Sequence, residues 1–311
     1  MSHPNSEENI LSLDKNPFDG LIIQNDNILY ALEGRYACPK CGKSRKFYCY
    51  SCYVPIPELK NVLPKVTLPV KIDIIKHKQE IDGKSTSAHA ALIAPDDVRV
   101  YTYPDIPEYE EDQTVLIYPT CKALEISQLF SHNGNISDIK SEIKIDLPKG
   151  YNAGTLLKQV STTKNYCNYK GANSLPIKRA VFIDSTWNQS KGIYKDERIR
   201  KLSCVVLQNR ISQFWRHQKG SPRWYLATIE AIHQFVLEIH LNAWGVHPDY
   251  KGLAKCFNEK SIIHFEELIV NNEEAYNGQY DNLLFFFKHM YYLIHTYYEH
   301  DSLYAYKRRL N

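Results

Sequence analysis

A chain of 311 residues that is 43% apolar can bury a full-sized core, and its length suits one large domain with an appendage, or two domains. A formal net charge of +3 is too mild to mark the whole surface as a nucleic-acid binder, so any basic surface must be local. No apolar stretch approaches the roughly 18 residues of a membrane span, and the opening MSHPNSEENILSLDKNPFDG has neither the basic flank nor the apolar centre of a signal peptide.

Residues 1–34 read as a polar lead-in, with NILYALEGRYA forming a short helix or strand that runs into a cysteine cluster. CPKCGKSRKFYCYSC places Cys38, Cys41, Cys49 and Cys52 as C-x2-C-x7-C-x2-C. Two knuckles each offer two thiolates, and the short spacer lets both pairs close on one tetrahedral zinc ion. Gly42 suits the tight turn that aims backbone N–H groups at sulfur. Four thiolates leave no open coordination position, so the zinc is structural. The alternative, two disulfides, belongs to secreted chains, whereas scattered single cysteines such as Cys121, Cys167, Cys204 and Cys256 suit a reducing compartment, cytosol or nucleus. Lys40, Lys43, Arg45 and Lys46 beside Phe47, Tyr48 and Tyr50 suit RNA phosphates and unstacked bases, and equally an ordinary solvated turn.

Beyond the module, assigned to 35–57, the proline-rich YVPIPELKNVLPKVTLP reads as an extended linker. VKIDIIKH then predicts a strand, SAHAALIA a short helix, VRVYTYPDI a strand or loop and TVLIYPT a buried strand. The polar, weakly patterned segment around 133–175 reads as an insertion. AVFID predicts a strand, followed by a polar helix and the buried strand LSCVVL. YLATIEAIHQFVLEIHLNAW carries apolar residues at 226, 229, 232, 236, 239 and 243, the spacing of an amphipathic helix. The aromatic tail YDNLLFFFKHMYYLIHTYYEHD reads as a helix packed on the core, with a base-stacking platform as the other use of such a composition. Strands alternating with helices imply an α/β domain with a largely parallel sheet over 58–311.

In open α/β sheets ligands sit beyond the carboxyl ends of the strands, which is where Asp184 falls if AVFID is a strand. The plainer reading is that Asp184 or Ser185 caps the following helix. Downstream, QNRISQFWRHQKGSPRWYLATIEA surrounds Phe214, Trp215 and Trp224 with Arg210, Arg216, His217, Lys219 and Arg223, the composition of an RNA-facing rim. The helix start near Thr228 offers N–H groups and a positive dipole end to an anion.

Together these residues resemble the DTW-domain family, whose Asp-x-Thr-Trp motif stands here as Asp184-Ser185-Thr186-Trp187. Ala227-Thr228-Ile229-Glu230-Ala231, the paired cysteine knuckles and the turn Tyr118-Pro119 extend the likeness, and FIDSTWNQ, KDERI and FWRHQKG are closest to its eukaryotic branch. The stretch HKQEIDGKST departs from the family's His-Pro-x-Glu pattern, so no role is carried to His77 or Glu80, and Ala227 stands where relatives often have serine.

The resemblance implies a SPOUT-like fold with a knotted or deeply tucked C-terminal part. It implies a tRNA-uridine aminocarboxypropyltransferase that moves the 3-amino-3-carboxypropyl group of S-adenosylmethionine to N3 of a D-loop uridine, position 20, releasing 5′-methylthioadenosine. Asp184, Thr186 and Trp187 would be catalytic. Tyr118, Pro119, Ser185, Thr228 and Glu230 would hold the donor, and Arg210, Arg216, His217, Lys219 and Arg223 the RNA. Asp184 would take the N3 proton, order a water that does, or pair with the donor's ammonium. Nuclear residence, with a cytoplasmic share, goes with this reading, and no membrane or obligate protein partner is evident. A SPOUT-like methyltransferase using the same donor, and an idle zinc-containing RNA adaptor, are the competing readings.

Overall fold

The computed structural model describes residues 16–130, 175–208, 210–218, 221–257 and 266–308. The expected insertion therefore lies almost wholly outside the described residues, as do Cys167 and Lys219. A helix, α1 (Asn27–Ala31), leads into four two-residue strands, β1 (Tyr36–Ala37), β2 (Ser44–Arg45), β3 (Tyr48–Cys49) and β4 (Val54–Pro55). They pair antiparallel as β1 with β2 and β3 with β4, which builds the two knuckles.

The main body is a six-stranded parallel sheet of β5 (Lys71–Lys76), β6 (Val98–Thr102), β7 (Thr114–Ile117), β8 (Leu124–Glu125), β9 (Arg179–Asp184) and β10 (Ser203–Val206). Their order across the sheet is β6-β5-β9-β7-β10-β8. Covered on both faces, the inner strands need apolar residues at successive positions, and KIDIIK, RAVFID and SCVV supply them. The helices are α2 (Ser87–Ile93), α3 (Trp187–Tyr194), α4 (Glu197–Arg200), α5 (Thr228–Trp244), α6 (Leu253–Cys256) and α7 (Phe285–Tyr297).

Successive strand residues point to opposite faces, and the two core clusters obey this alternation. Ile72, Ile74, Val115, Ala180, Phe182 and Val205 face α2, α5 and α7. Ile75, Leu116, Val181 and Cys204 face Ile193 of α3 and Ile199 of α4. Asp184 shares the parity of Ala180 and Phe182, so the strand directs it to the α5 side. Helix α5 is not amphipathic in use: Ile229, Ile232, Phe235, Val236, Leu237, Ile239 and Leu241 are all fully buried, enclosed by the sheet, α2 and the 281–284 turn. It ends at Gly245 (φ +77°), where any Cβ would collide with the Leu268 carbonyl oxygen.

The segment 57–68 is no free linker, because Leu59, Val66 and Leu68 join the main core. The tail helix divides by position: Phe285, Phe286, Phe287 and Tyr291 are buried, whereas Tyr297 and Tyr298 at its end are exposed.

Buried acids add a pH dependence to this core. Glu238 on α5 is 3% exposed and accepts from the Gln208 N–H at 2.9 Å and from Gln234 at 2.8 Å. Burial pushes its pKa up to about 8, despite those two donors and with a small contribution from Glu125. A raised acid binds its proton more tightly in the folded state, so the stability Glu238 contributes is full below the unfolded value near 4.3 and is lost as pH rises towards 8. Glu238→Gln is expected to flatten the decline of Tm between pH 5 and pH 8, which thermal melts across that range will show; an unchanged slope would remove Glu238 as its source.

Candidate active site

Strands β5 and β9 are neighbours in register, with Lys76 opposite Asp184, so the loops that follow them open on the same edge of the sheet. Asp184 is 6% exposed and ends β9. The Ser85 hydroxyl donates to Asp184 Oδ2 at 2.5 Å, and the Thr228 hydroxyl donates to Oδ1 at 2.7 Å. One hydroxyl comes from the loop before α2, the other from the first residue of α5. The carboxylate is thus fixed from two sides while each oxygen keeps acceptor capacity for a further partner.

Asp184 is not a helix cap. Thr186 occupies the N-cap of α3, where its N–H donates to Gln189 Oε1 at 3.0 Å. The Ser185 hydroxyl turns back to the Thr186 carbonyl at 3.1 Å. Trp187, the first residue of α3, is 37% exposed, and its ring centroid lies 4.4 Å from Tyr225 and 6.1 Å from Tyr118. Tyr118 follows β7, stacks on Tyr194 at 4.8 Å and shares a 3.3 Å hydroxyl contact with Ser190, with Pro119 next to it and partly buried. Trp224 meets Tyr225 edge-on at 4.6 Å. Asp184 lies three residues before Trp187, and Tyr225 three before Thr228, so a hydroxyl-held acid and a half-open aromatic wall share the carboxyl edge of the sheet, which suits a planar ring and a cationic donor.

The start of α5 is more occupied than its sequence suggests. The Ile229 N–H donates to Thr86 Oγ1 at 3.1 Å, and the Ala227 N–H to Glu230 Oε2 at 2.8 Å. Glu230 is 0% exposed and also accepts from the Ser212 hydroxyl and the Gln213 N–H, each at 2.7 Å. These three bonds tie the loop around Ser212 and Gln213 to α5, and they set Glu230, expected at the donor, in the protein's interior. Thr228 remains at the pocket through its bond to Asp184.

The basic rim also divides. Arg210 is buried and bonds His233 Nδ1 at 3.0 Å, and His233 Nε2 meets Asp281 at 2.9 Å. Arg223 is buried with its guanidinium 5.4 Å from the Tyr306 ring centre. Arg210 and Arg223, both expected at the RNA, are thus each only 4% exposed and packed against neighbouring side chains. Arg216 and His217 are exposed, and Arg216 Nη2 reaches the Gly83 carbonyl at 3.4 Å, close to Ser85.

The sequence reading passed over Ser85 and Thr86, which lie in KSTS ahead of α2. Three hydroxyls in a row after a strand are the available signal, but the partner of Ser85 is 99 residues away and that of Thr86 143. Glu80 also lies near: burial first, then the Asp184 charge, raise its pKa.

The four cluster sulfurs lie within 4.8 Å of one another, with Cys41 and Cys49 at 3.7 Å. Zn–S bonds of about 2.3 Å at tetrahedral angles place sulfurs about 3.8 Å apart, so the cluster fits one zinc. The Lys40 N–H donates to Cys38 Sγ at 3.4 Å and Arg45 Nε to Cys49 Sγ at 3.3 Å. The turns are matched: Gly42 (φ +70°) closes the first knuckle, and Tyr53 takes the same region (φ 53°) in the second. Burial opposes ionisation of Cys49, but Arg45 and the N–H groups of Ser51 and Cys52 outweigh it and draw the thiol down to about 6. Cys52 is pushed up to about 12, first by the Cys41 sulfur beside it and then by burial. Four crowded sulfurs cannot all ionise without a cation among them.

The module is also a neighbour of the pocket. Ser51 donates to Asp82 Oδ2 at 2.7 Å, Asp82 pairs with Lys76 at the end of β5, and the Tyr48 hydroxyl meets His89 Nε2 of α2 at 2.8 Å. Asp82 lies in the 77–86 loop that presents Ser85 to Asp184.

A parallel α/β sheet with a hydroxyl-held acid and an aromatic wall at the carboxyl edge of its middle strand defines the class of protein. The DTW domain model matches residues 46–295, and the chain belongs to that family. It is 39% identical to the mouse (Mus musculus) tRNA-uridine aminocarboxypropyltransferase 1, over 94% of this chain and 87% of the mouse protein. The Homo sapiens protein of the same name is 38% identical over 90% of this chain and 84% of its own length, and the Xenopus laevis one 36% over 94% and 97%. No solved structure matches.

Proposed function

We propose that this protein is a tRNA-uridine aminocarboxypropyltransferase that transfers the 3-amino-3-carboxypropyl group of S-adenosylmethionine to N3 of a D-loop uridine, position 20. The carrying observation is Asp184, held by Ser85 and Thr228 at the strand edge beside exposed Trp187. The relatives' shared name and their coverage of most of this chain support the same activity.

Uridine N3–H is a weak acid, so attack on carbon needs its proton removed. Asp184 receives that proton, directly or through one water. N3 then bonds to Cγ of the donor's aminocarboxypropyl chain, the carbon that joins it to sulfur, the Cγ–S bond breaks, and its electron pair stays on sulfur as neutral 5′-methylthioadenosine. The positively charged sulfur already makes a good leaving group, so the remaining task is to align the reactants and exclude water. Tyr118, Pro119, Trp187 and Tyr225 would wall the donor's ring system, and Thr228 with Ser185 would face its polar end. Zinc, held by Cys38, Cys41, Cys49 and Cys52, supplies structure only.

The division into a lead-in over 1–34, a zinc-knuckle module over 35–57 and a catalytic domain over 58–311 goes with this reading, as do nuclear residence with a cytoplasmic share and action without an obligate protein partner. No described helix is long and apolar enough to cross a membrane.

The test is the by-product formed from unmodified tRNA and S-adenosylmethionine. Methylthioadenosine together with 3-(3-amino-3-carboxypropyl)uridine is expected. S-adenosylhomocysteine would establish methyl transfer instead, and no turnover on a competent tRNA would leave an RNA adaptor.

A further inference from the structure

Residues 296–308 lie beyond the matched family region and fold back onto the loop that carries Arg216 and His217. The Tyr306 hydroxyl donates to the Gln213 carbonyl at 3.2 Å, and Arg308 Nη1 donates to Gln218 Oε1 at 3.1 Å and to the Pro222 carbonyl at 3.3 Å. The Tyr306 ring lies under the Arg223 guanidinium and stacks on His300 at 4.1 Å. These contacts explain why Arg223 is buried, and they make the segment a built part of the rim.

Against this anchoring, the exposure of Tyr304 stands out. Tyr304 is 73% exposed although Ala305 and Tyr306 beside it are buried, so it is not solvent-facing through fraying. The His217 ring centroid is 6.3 Å away and Lys307 Nζ lies 5.5 Å from the ring centre. Arg216, next to His217, reaches Gly83, and Ser85 two residues on holds Asp184. A continuous path of bonded and neighbouring residues thus runs from the acid to this ring.

The geometry points to Tyr304, flanked by His217 and Lys307, as a stacking site for an unstacked base of the RNA substrate, held in a set relation to Asp184 by the folded-back C-terminal segment. An exposed aromatic face takes any base, and adjacent cations meet the phosphates on either side. Charge complementarity favours RNA here over an apolar protein partner, since Lys307 borders the ring and exposed Arg216 adjoins His217 in the chain. The inference rests on the tRNA reading above.

The experiment uses the full chain and unmodified tRNA, with Kd measured at several salt concentrations for wild type, Tyr304→Ala, Tyr304→Phe and Lys307→Ala. Tyr304→Ala is expected to weaken binding about ten-fold without changing the salt dependence, and Tyr304→Phe to restore it. Lys307→Ala is expected to lower the log–log salt slope by about 0.7 to 0.9. Ultraviolet crosslinking of wild type should recover a 300–308 peptide attached to one nucleotide. Wild-type binding with an unchanged Kd for Tyr304→Ala and no such crosslink would overturn the stacking site while leaving the transferase reading intact. A wild-type protein that neither binds tRNA nor forms methylthioadenosine would overturn both. Thermal melts of each variant keep a folding defect from passing as lost binding.

Discussion

Replacing Asp184 with asparagine will lower kcat for modified-uridine formation by about 100- to 10,000-fold, the range supplied by a positioned general base. The fold should survive. Asparagine keeps one carbonyl oxygen for Ser85 or Thr228, and the other hydroxyl can rotate to accept from the new amide, so the expected cost is about 1 kcal/mol. The two roles open to this acid separate in the kinetics. Loss of a base lowers kcat with little change in KM for S-adenosylmethionine, whereas loss of an ammonium partner raises that KM. Ser85→Ala and Thr228→Val should give smaller losses, because each leaves the carboxylate in place with one tether gone. Near-normal turnover by Asp184→Asn, with native melting, would take Asp184 out of the chemistry.

Stripping the zinc, or substituting Cys49→Ser, is expected to lower Tm by about 10 °C, from loss of several kcal/mol of metal-linked folding energy in a chain of this size. The effect should be global, because Phe47, Ile56 and Leu59, on and just after the knuckles, belong to the main core cluster. It should also reach the pocket. Hydrogen exchange in the 77–86 loop is expected to rise, since Ser51 is lost as a partner for Asp82 and Tyr48 as a partner for His89. Metal analysis should find one zinc per chain, restored on adding zinc back. Unchanged exchange over 77–86 in verified metal-free protein would show that the module does not brace the acid.

How much of this site could be read along the chain depends on how local each feature is. The cysteine spacing and the strand ending in Asp184 are set by residues within a few positions of one another, and each stood where the sequence placed it. The identity of the cap did not: Asp184 and Ser185 were the candidates, and Thr186 holds the position, because β9 runs one residue into the motif and keeps Asp184 in the sheet. For the tail, the apolar spacing identified a helix but could not separate its buried phenylalanines from the exposed tyrosines at its end.

The sequence by itself determined where an acid terminates a strand, which four sulfurs can share a metal, and which stretches alternate as strand and helix, since those properties depend on neighbours along the backbone. Only the tertiary structure decided what Asp184 touches, because Ser85 and Thr228 come from 99 and 44 residues away and meet it through strand order alone. It also decided which arginines are exposed. Charge in a loop looks solvent-facing in one dimension, but His233 and the returning Tyr306 enclose Arg210 and Arg223 and leave Arg216 outside.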